Sequence, residues 1–437
     1  MKKNINLKEY LNNDNIYFIV AMSSVILYVI WLFLPSVQNM LGARAAILFM
    51  ALFFISTIMD KSFLKANIKE YFIKIILLLF VSAFYSAIYT IGIKNLLVFF
   101  PQAFMLFFPI LISYYIIKSR KTFLLDLIFI ITIIACIITS VINLTWLFRY
   151  RLTLRYMAHG STDTEYIKRA MSYGIGGFGF TYGLNMFFAL LLFGFSQLKF
   201  KISKFIAPVV SVLFALSIYK SRYFIALFIL LCTVFLFLID YVSKIICRIT
   251  KIKHNLWYTF AFGIFITIIL FIFRDSLITN LAAYLHDYGL VDYSNKLLKI
   301  RDLLVNFNVE LDNSSRLEYY ISGIDTIINS PWIGIKLDPY TYDISRHSTM
   351  IDTFAGFGVP AGVFALACFI YSLKGIYSNI FKSENKQIMI FMLIIFFILF
   401  ASNTIVYCRE AFFTCFFLTI YLDGNVNNNI FKVNDGK

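Results

Sequence analysis

Five basic side chains stand where a membrane protein seldom places them. Lys220-Ser221-Arg222 forms a very short turn between two apolar runs, and Arg44 lies near one end of the second run. Arg316 opens an amphipathic segment, and His347 sits where a long polar stretch gives way to the next apolar run. Ionisable residues at membrane depth are costly, so they mark either function or an arginine snorkelling to lipid headgroups. Ser315-Arg316-Leu317-Glu318 fits the S-x-x-E capping box. Arg316 would then begin a helix whose free N–H groups and dipole favour an anion, and its guanidinium would complete a phosphate site. A solvated surface arginine is the plainer alternative. A neutral imidazole near pH 7 is the usual general base. The histidines are His159, His254, His286 and His347, and for any one in a loop the plainer alternative is a solvated polar residue.

Other chemistry lacks its residues. There is no Walker A sequence, no H-E-x-x-H, no G-x-S-x-G and no D-x-D, and Pro35–Met40 carries no carboxylate. The six cysteines, Cys136, Cys232, Cys247, Cys368, Cys408 and Cys415, lie in or beside apolar runs without a C-x-x-C pair, and read as small apolar packers. No metal and no cofactor is therefore expected.

The elements that must position these residues follow from hydropathy. The chain has 437 residues, 60% hydrophobic and 14% charged, with a mean hydropathy of +0.80. A soluble domain has nearly twice that share of charge. Apolar residues fall in runs of about 20, the length that crosses the hydrocarbon core as a helix. Backbone polar groups in lipid must be satisfied within the segment, so these runs are expected to be helical. Spans are expected near 16–34, 41–59, 72–93, 96–117, 123–147, 174–196, 205–219, 223–243, 256–273, 348–373, 387–404 and 408–422, the last two alternatively forming one re-entrant pair.

The net charge of +16 would suggest nucleic acid only if the bases clustered on a soluble face. Most instead occupy short loops. With the N-terminus inside, the inner loops hold Lys61, Lys65, Lys69 and Lys74; Lys118, Arg120 and Lys121; Lys199, Lys201 and Lys204; Lys244, Arg248, Lys251 and Lys253; and Lys374, Lys382 and Lys386. The positive-inside rule then places both termini in the cytoplasm and the long segments 148–173 and 274–346 outside. Three regions result: 1–273, with about nine spans and the outer loop 148–173; the large extracytoplasmic loop 274–347; and 348–437, the last spans with a short cytoplasmic tail. In the large loop, Leu317, Tyr320, Ile321, Ile324 and Ile328 recur at helical spacing until Asn329-Ser330-Pro331. This predicts a helix of about 13 residues lying flat on the outer surface, apolar face down.

Three stretches carry a family resemblance: Ser221-Arg222-Tyr223-Phe224 entering an apolar run; Ser315-Arg316 with its helix and Ser330-Pro331-Trp332-Ile333-Gly334; and His347-Ser348-Thr349-Met350 running to Gly356-Phe357-Gly358-Val359-Pro360-Ala361-Gly362. Over about 220–365 the chain resembles the O-antigen polymerase and O-antigen ligase family of bacterial surface-polysaccharide enzymes, the Wzy-like polymerases among them. It departs at Ser348, where the family often has Asn, and at Lys336, where a second Gly is common. The resemblance implies an all-α polytopic membrane protein of about twelve transmembrane helices, a GT-C-like glycosyltransferase of the bacterial cytoplasmic membrane. Its donor would be an oligosaccharide on polyprenyl pyrophosphate (undecaprenyl pyrophosphate) at the outer face. It implies His347 as base, and arginines, Arg222 and Arg316 with Arg44 as a weaker candidate, on the pyrophosphate. The product would be O-antigen, capsular or exopolysaccharide, with a chain-length regulator and a flippase as candidate partners. Two alternatives stay open: a ligase transferring the glycan to another acceptor, and a transporter or flippase of the lipid-linked oligosaccharide.

Overall fold

A computed structural model of the protein describes residues 13–90, 93–119, 124–158, 165–194, 201–250, 272–289, 291–306, 316–335, 347–374, 376, 386–404 and 408–421, with Thr259, Gly263, Ile264 and Ile266. The Asn-rich stretch Asn425–Asn429 near the end of the sequence, His159, His254, Ser315 and most of the expected span 256–273 lie outside these residues. The described elements are α1 (Asn13–Phe33), α2 (Pro35–Met59), α3 (Lys61–Tyr89), α4 (Ile93–Ser119), α5 (Leu125–Arg149), α6 (Thr153–Ala158), α7 (Glu165–Ser172), α8 (Phe178–Gly194), α9 (Lys201–Lys220), α10 (Phe224–Ile249), α11 (Arg274–Asp287), α12 (Val291–Asn306), α13 (Arg316–Asn329), α14 (Thr349–Leu373), α15 (Lys386–Ser402) and α16 (Arg409–Phe413). After α16 the chain continues as a π-helical stretch, Thr414–Leu418, and α17 (Thr419–Tyr421). No strand occurs among the described residues.

Seven of these helices, α1 (from Ile16), α2, α3, α4, α5, α10 and α14, are long and apolar enough to cross a bilayer, and α8, α9 and α15 contain shorter apolar stretches. Their outward faces carry large apolar side chains such as Leu48, Ile55, Ile76, Val209 and Phe364. The described helices thus form a multi-pass α-helical membrane protein.

The chain divides into two compact units, Met1–Ile229 with Ser322–Lys437, and Leu230–Ile321. In the second unit, α11 and α12 pair as a helical hairpin across a turn at Tyr288–Gly289. Arg301 on α12 reaches Thr279 (3.3 Å) and Asp275 (3.8 Å) on α11 and also binds Asp302.

In the first unit, contacts fix which helix ends lie together. Lys74 on α3 is buried and donates to the carbonyl of Ser372 (2.7 Å) and to that of Lys374, at the C-terminus of α14. Those carbonyls are the ones a helix end leaves unpaired. At the other ends of the same helices, the Tyr89 hydroxyl donates to Asp352 (2.7 Å), and Tyr85 pairs with Thr353 (3.2 Å). So α3 and α14 run antiparallel. The lysine-rich start of α3 lies at the end opposite His347. At that basic end, Asp60 is fully buried yet satisfied: it caps α3 through the Phe63 N–H (3.0 Å) and accepts from Ser62 and Tyr115.

Pro35–Met40, expected as a short outer turn, is helical, and Leu34 alone separates α1 from α2. The expected boundary survives as a kink: Gly42 is non-helical (φ 67°, ψ −179°), and its carbonyl accepts from the Trp31 indole (3.0 Å). Proline at the first helical position suits a start there, because its missing N–H would have no partner anyway.

Candidate functional site

His347 is partly buried and stands just before the N-cap of α14. Ser348 caps that helix, its hydroxyl accepting from the Ile351 N–H (3.2 Å). Serine and asparagine are comparably good N-caps. The departure from Asn noted in the sequence therefore leaves this cap intact.

The two glycine-bearing motifs fit against each other. Within α14 the helix breaks at Phe357 and Gly358, just ahead of Pro360, as expected where proline cannot donate and clashes with the preceding turn. The break frees the Val359 N–H, which donates to the Pro331 carbonyl (2.7 Å). Gly334 (φ 70°) and Gly358 (φ 82°) are both in conformations that side chains disfavour. A Cβ on Gly334 would sit 2.6 Å from the Gly356 carbonyl oxygen, and one on Gly358 would strike the Trp332 backbone. The Ser330–Gly334 turn thus locks onto the kink of the helix that His347 precedes.

A chain of contacts links this lock to Arg222. The Thr349 hydroxyl and N–H both donate to the Asn403 carbonyl (3.0 and 3.1 Å). The Asn403 amide donates to the Tyr182 hydroxyl (2.5 Å). Tyr182 packs on Phe178 (ring centroids 4.6 Å), and Phe178 on Tyr223 (5.8 Å), whose hydroxyl donates to the Leu154 carbonyl (2.7 Å). Arg222 precedes Tyr223 and is the one non-glycine among the described residues with positive φ (58°). That conformation is uncommon for a branched or bulky side chain, and such strain gathers at functional sites. Beside it, Lys220 lies over the Phe148 ring (4.8 Å).

The structure therefore brings the Arg222 turn and the His347 helix start to one network. Arg44 is exposed, two residues past the Gly42 kink. Arg316 opens α13, as the capping pattern predicts, but its side chain lies outside the described residues and it belongs to the other unit. On the predicted apolar face of α13, Tyr320 and Ile321 are half-buried and Ile324 and Ile328 are exposed, as are Trp332 and Ile333 after it, while the buried residues, Gly323 and Thr326, lie on the other side of the helix. An uncovered apolar strip of this kind suits the bilayer interface.

A cleft of about 230 Å³ opens beside the N-terminus of α8. Gln38 and Asn39 of α2, Met157 of α6, Phe180 of α8, and Arg409 and Glu410 of α16 line it. The loop before α8 is held by buried Asn143, which accepts from the Gly176 N–H (2.8 Å) and donates to its carbonyl (3.2 Å). Asn39 pins α7 through the Met171 carbonyl (2.5 Å). Glu410 packs against Gly183, where a Cβ would collide with it. Arg409 lies over the Trp31 ring (5.7 Å), and its buried Nε–H has no hydrogen-bond partner among the described residues. The hydropathic reading absorbed Arg409 and Glu410 into the last apolar run. The signal that singles them out is an arginine and a glutamate side by side inside that run.

Asn143→Ala should leave both Gly176 backbone groups buried and unpaired, at a cost of about 1–3 kcal/mol. Thermal unfolding of the detergent-solubilised protein should show a melting point several degrees lower. An unchanged melting point would mean that the Asn143 bonds do not hold this loop.

No protein-family model matches the chain, and no curated protein matches it. The fold and the paired helix ends define a multi-pass α-helical membrane protein, with its candidate site at the end opposite the lysine-rich start of α3.

Proposed function

We propose that the protein is a membrane glycosyltransferase that polymerises polyprenyl-pyrophosphate-linked oligosaccharide repeats at the outer face of the bacterial cytoplasmic membrane. The observation that carries this reading is the joining of the Arg222 turn, the His347 helix start and the glycine lock into one network. The lysines of α3 at the far end support an outward-facing site.

The chemistry is one inverting displacement. The acceptor hydroxyl attacks the anomeric carbon of the donor glycan, one C–O bond forms, and the bond to pyrophosphate breaks. His347 takes the hydroxyl proton. The pyrophosphate leaves as an anion, and arginine guanidiniums, for which Arg222, Arg316 and Arg44 are the candidates, stabilise the developing charge without a metal.

The test is Arg222→Gly in cells lacking their own copy, with surface polysaccharide resolved on a gel. Glycine adopts the left-handed conformation that arginine tolerates poorly, so membrane levels should match wild type. Loss of the guanidinium should cut polymer by about 10²–10³-fold. A full ladder from Arg222→Gly would remove the pyrophosphate role. If wild type restores export of single units but no chains, a transporter takes the place of the polymerase. Transfer of glycan to a different acceptor, without chains, would make it a ligase.

A further inference from the structure

The cleft at Arg409 and Glu410 combines an acid, a base and amides in a way that selects its occupant. Glu410 is buried (8% exposed), and Arg409 beside it lines the same cleft, with a buried Nε–H that has no partner among the described residues. An anion would meet Arg409 but be repelled by Glu410, and a simple cation would face the reverse. A neutral ligand with neighbouring hydroxyls satisfies both, since each hydroxyl accepts from the guanidinium and donates to the carboxylate. Gln38 adds a donor and an acceptor on another wall, while Phe180 and Met157 offer apolar surface for C–H faces. The π-helical stretch just after α16 is a distortion that recurs at functional sites.

We propose that this cleft is a saccharide subsite, in which Arg409 and Glu410 hold vicinal hydroxyls of a sugar in the repeat unit. The assignment rests on the glycosyl-transfer reading, and it places the glycan, not the pyrophosphate, beside the N-terminus of α8.

The experiment follows labelling by a membrane-impermeant maleimide in intact cells carrying the full-length protein with Gln38→Cys or, separately, Met157→Cys. The native cysteines, all buried or partly buried, set the background. Leu281→Cys, on the exposed face of α11, is the control. One host makes the complete lipid-linked repeat. A second lacks the first sugar transferase, so it makes the carrier without glycan. At least one cleft cysteine should label several-fold more slowly in the first host than in the second, and Leu281→Cys equally in both. Adding Glu410→Gln, at matched membrane levels, should abolish the difference.

Equal labelling of both cleft cysteines in the two hosts overturns the subsite. Equal shielding in both assigns the cleft to the carrier lipid and overturns it too, as does labelling only in broken cells. The wild-type polymer ladder, read in the first host, separates the two levels. A ladder without shielding sinks this inference alone, and no ladder sinks the polymerase reading.

Discussion

His347→Ala should leave the protein in the membrane at wild-type levels and reduce surface polysaccharide to single repeat units. Removing a general base from a displacement of this kind costs about 10²–10⁴-fold in rate, enough to erase a ladder of chain lengths. The fold should tolerate the change. His347 is only partly covered, and the start of α14 is capped by Ser348 and tied to the Asn403 carbonyl through Thr349. Ser348→Ala is the matched structural control. It removes the cap, at about 1 kcal/mol, and should weaken stability with little effect on chain length. A gel of surface polysaccharide, with an immunoblot for membrane level, reads both. An unchanged ladder from His347→Ala would exclude His347 as the base. If single units also fail to reach the surface, export is the lost step.

Gly358→Ala should have a comparable effect on polymer by a different route, through loss of folded protein. At φ 82° and ψ 169°, Gly358 occupies a region essentially closed to residues with a Cβ. The added methyl would also meet the Trp332 carbonyl and lie 2.7 Å from the Ile333 nitrogen. Neither neighbour is a flexible side chain that can swing away; both are backbone of the Ser330–Gly334 turn. Conformational strain alone is worth about 1–3 kcal/mol. Displacing the turn would also strand the Val359 N–H, at about 1–3 kcal/mol more. Membrane levels should fall sharply, and the fraction that survives detergent extraction should melt well below wild type. Ala361→Gly, just beyond Pro360, should change little by comparison, since it removes no contact of the lock. A Gly358→Ala protein with normal yield and melting would show that the turn does not dock on this kink.

Much of the fold was legible in the sequence because its cause is local. A bilayer-crossing run must be apolar and helical along its own length, so hydropathy finds α1, α3, α4, α5, α10 and α14 without knowledge of their neighbours. Helix starts are local too. The capping pattern at 315–318 places the beginning of α13 at Arg316, and Asn329-Ser330-Pro331 its end. Where two helices follow one another with a single residue between, as at Leu34, hydropathy blurs them: Pro35–Met40 is polar enough to read as a turn, yet it is helical, and the real break is the Gly42 kink.

The candidate site was legible by residue type but not by arrangement. Arg222 stood out because two bases in a short turn violate the charge rule, and its left-handed backbone adds a structural reason. Arg409 and Glu410 were hidden, since a charged pair at the edge of an apolar run shifts mean hydropathy very little.

The sequence by itself determined that this chain crosses a membrane many times, where its bases gather, and which residues are chemically able to receive an anion or a proton. Those properties depend on side-chain type and on spacing along one helix. Only the tertiary structure decided that Gly334 and Gly358 meet backbone to backbone, that Asn403 and Tyr182 connect the His347 helix to the Arg222 turn, and that Arg409 and Glu410 line one cleft with Gln38 and Phe180. Each of these joins residues far apart in the chain, and such a contact exists only when several helices have been packed at once.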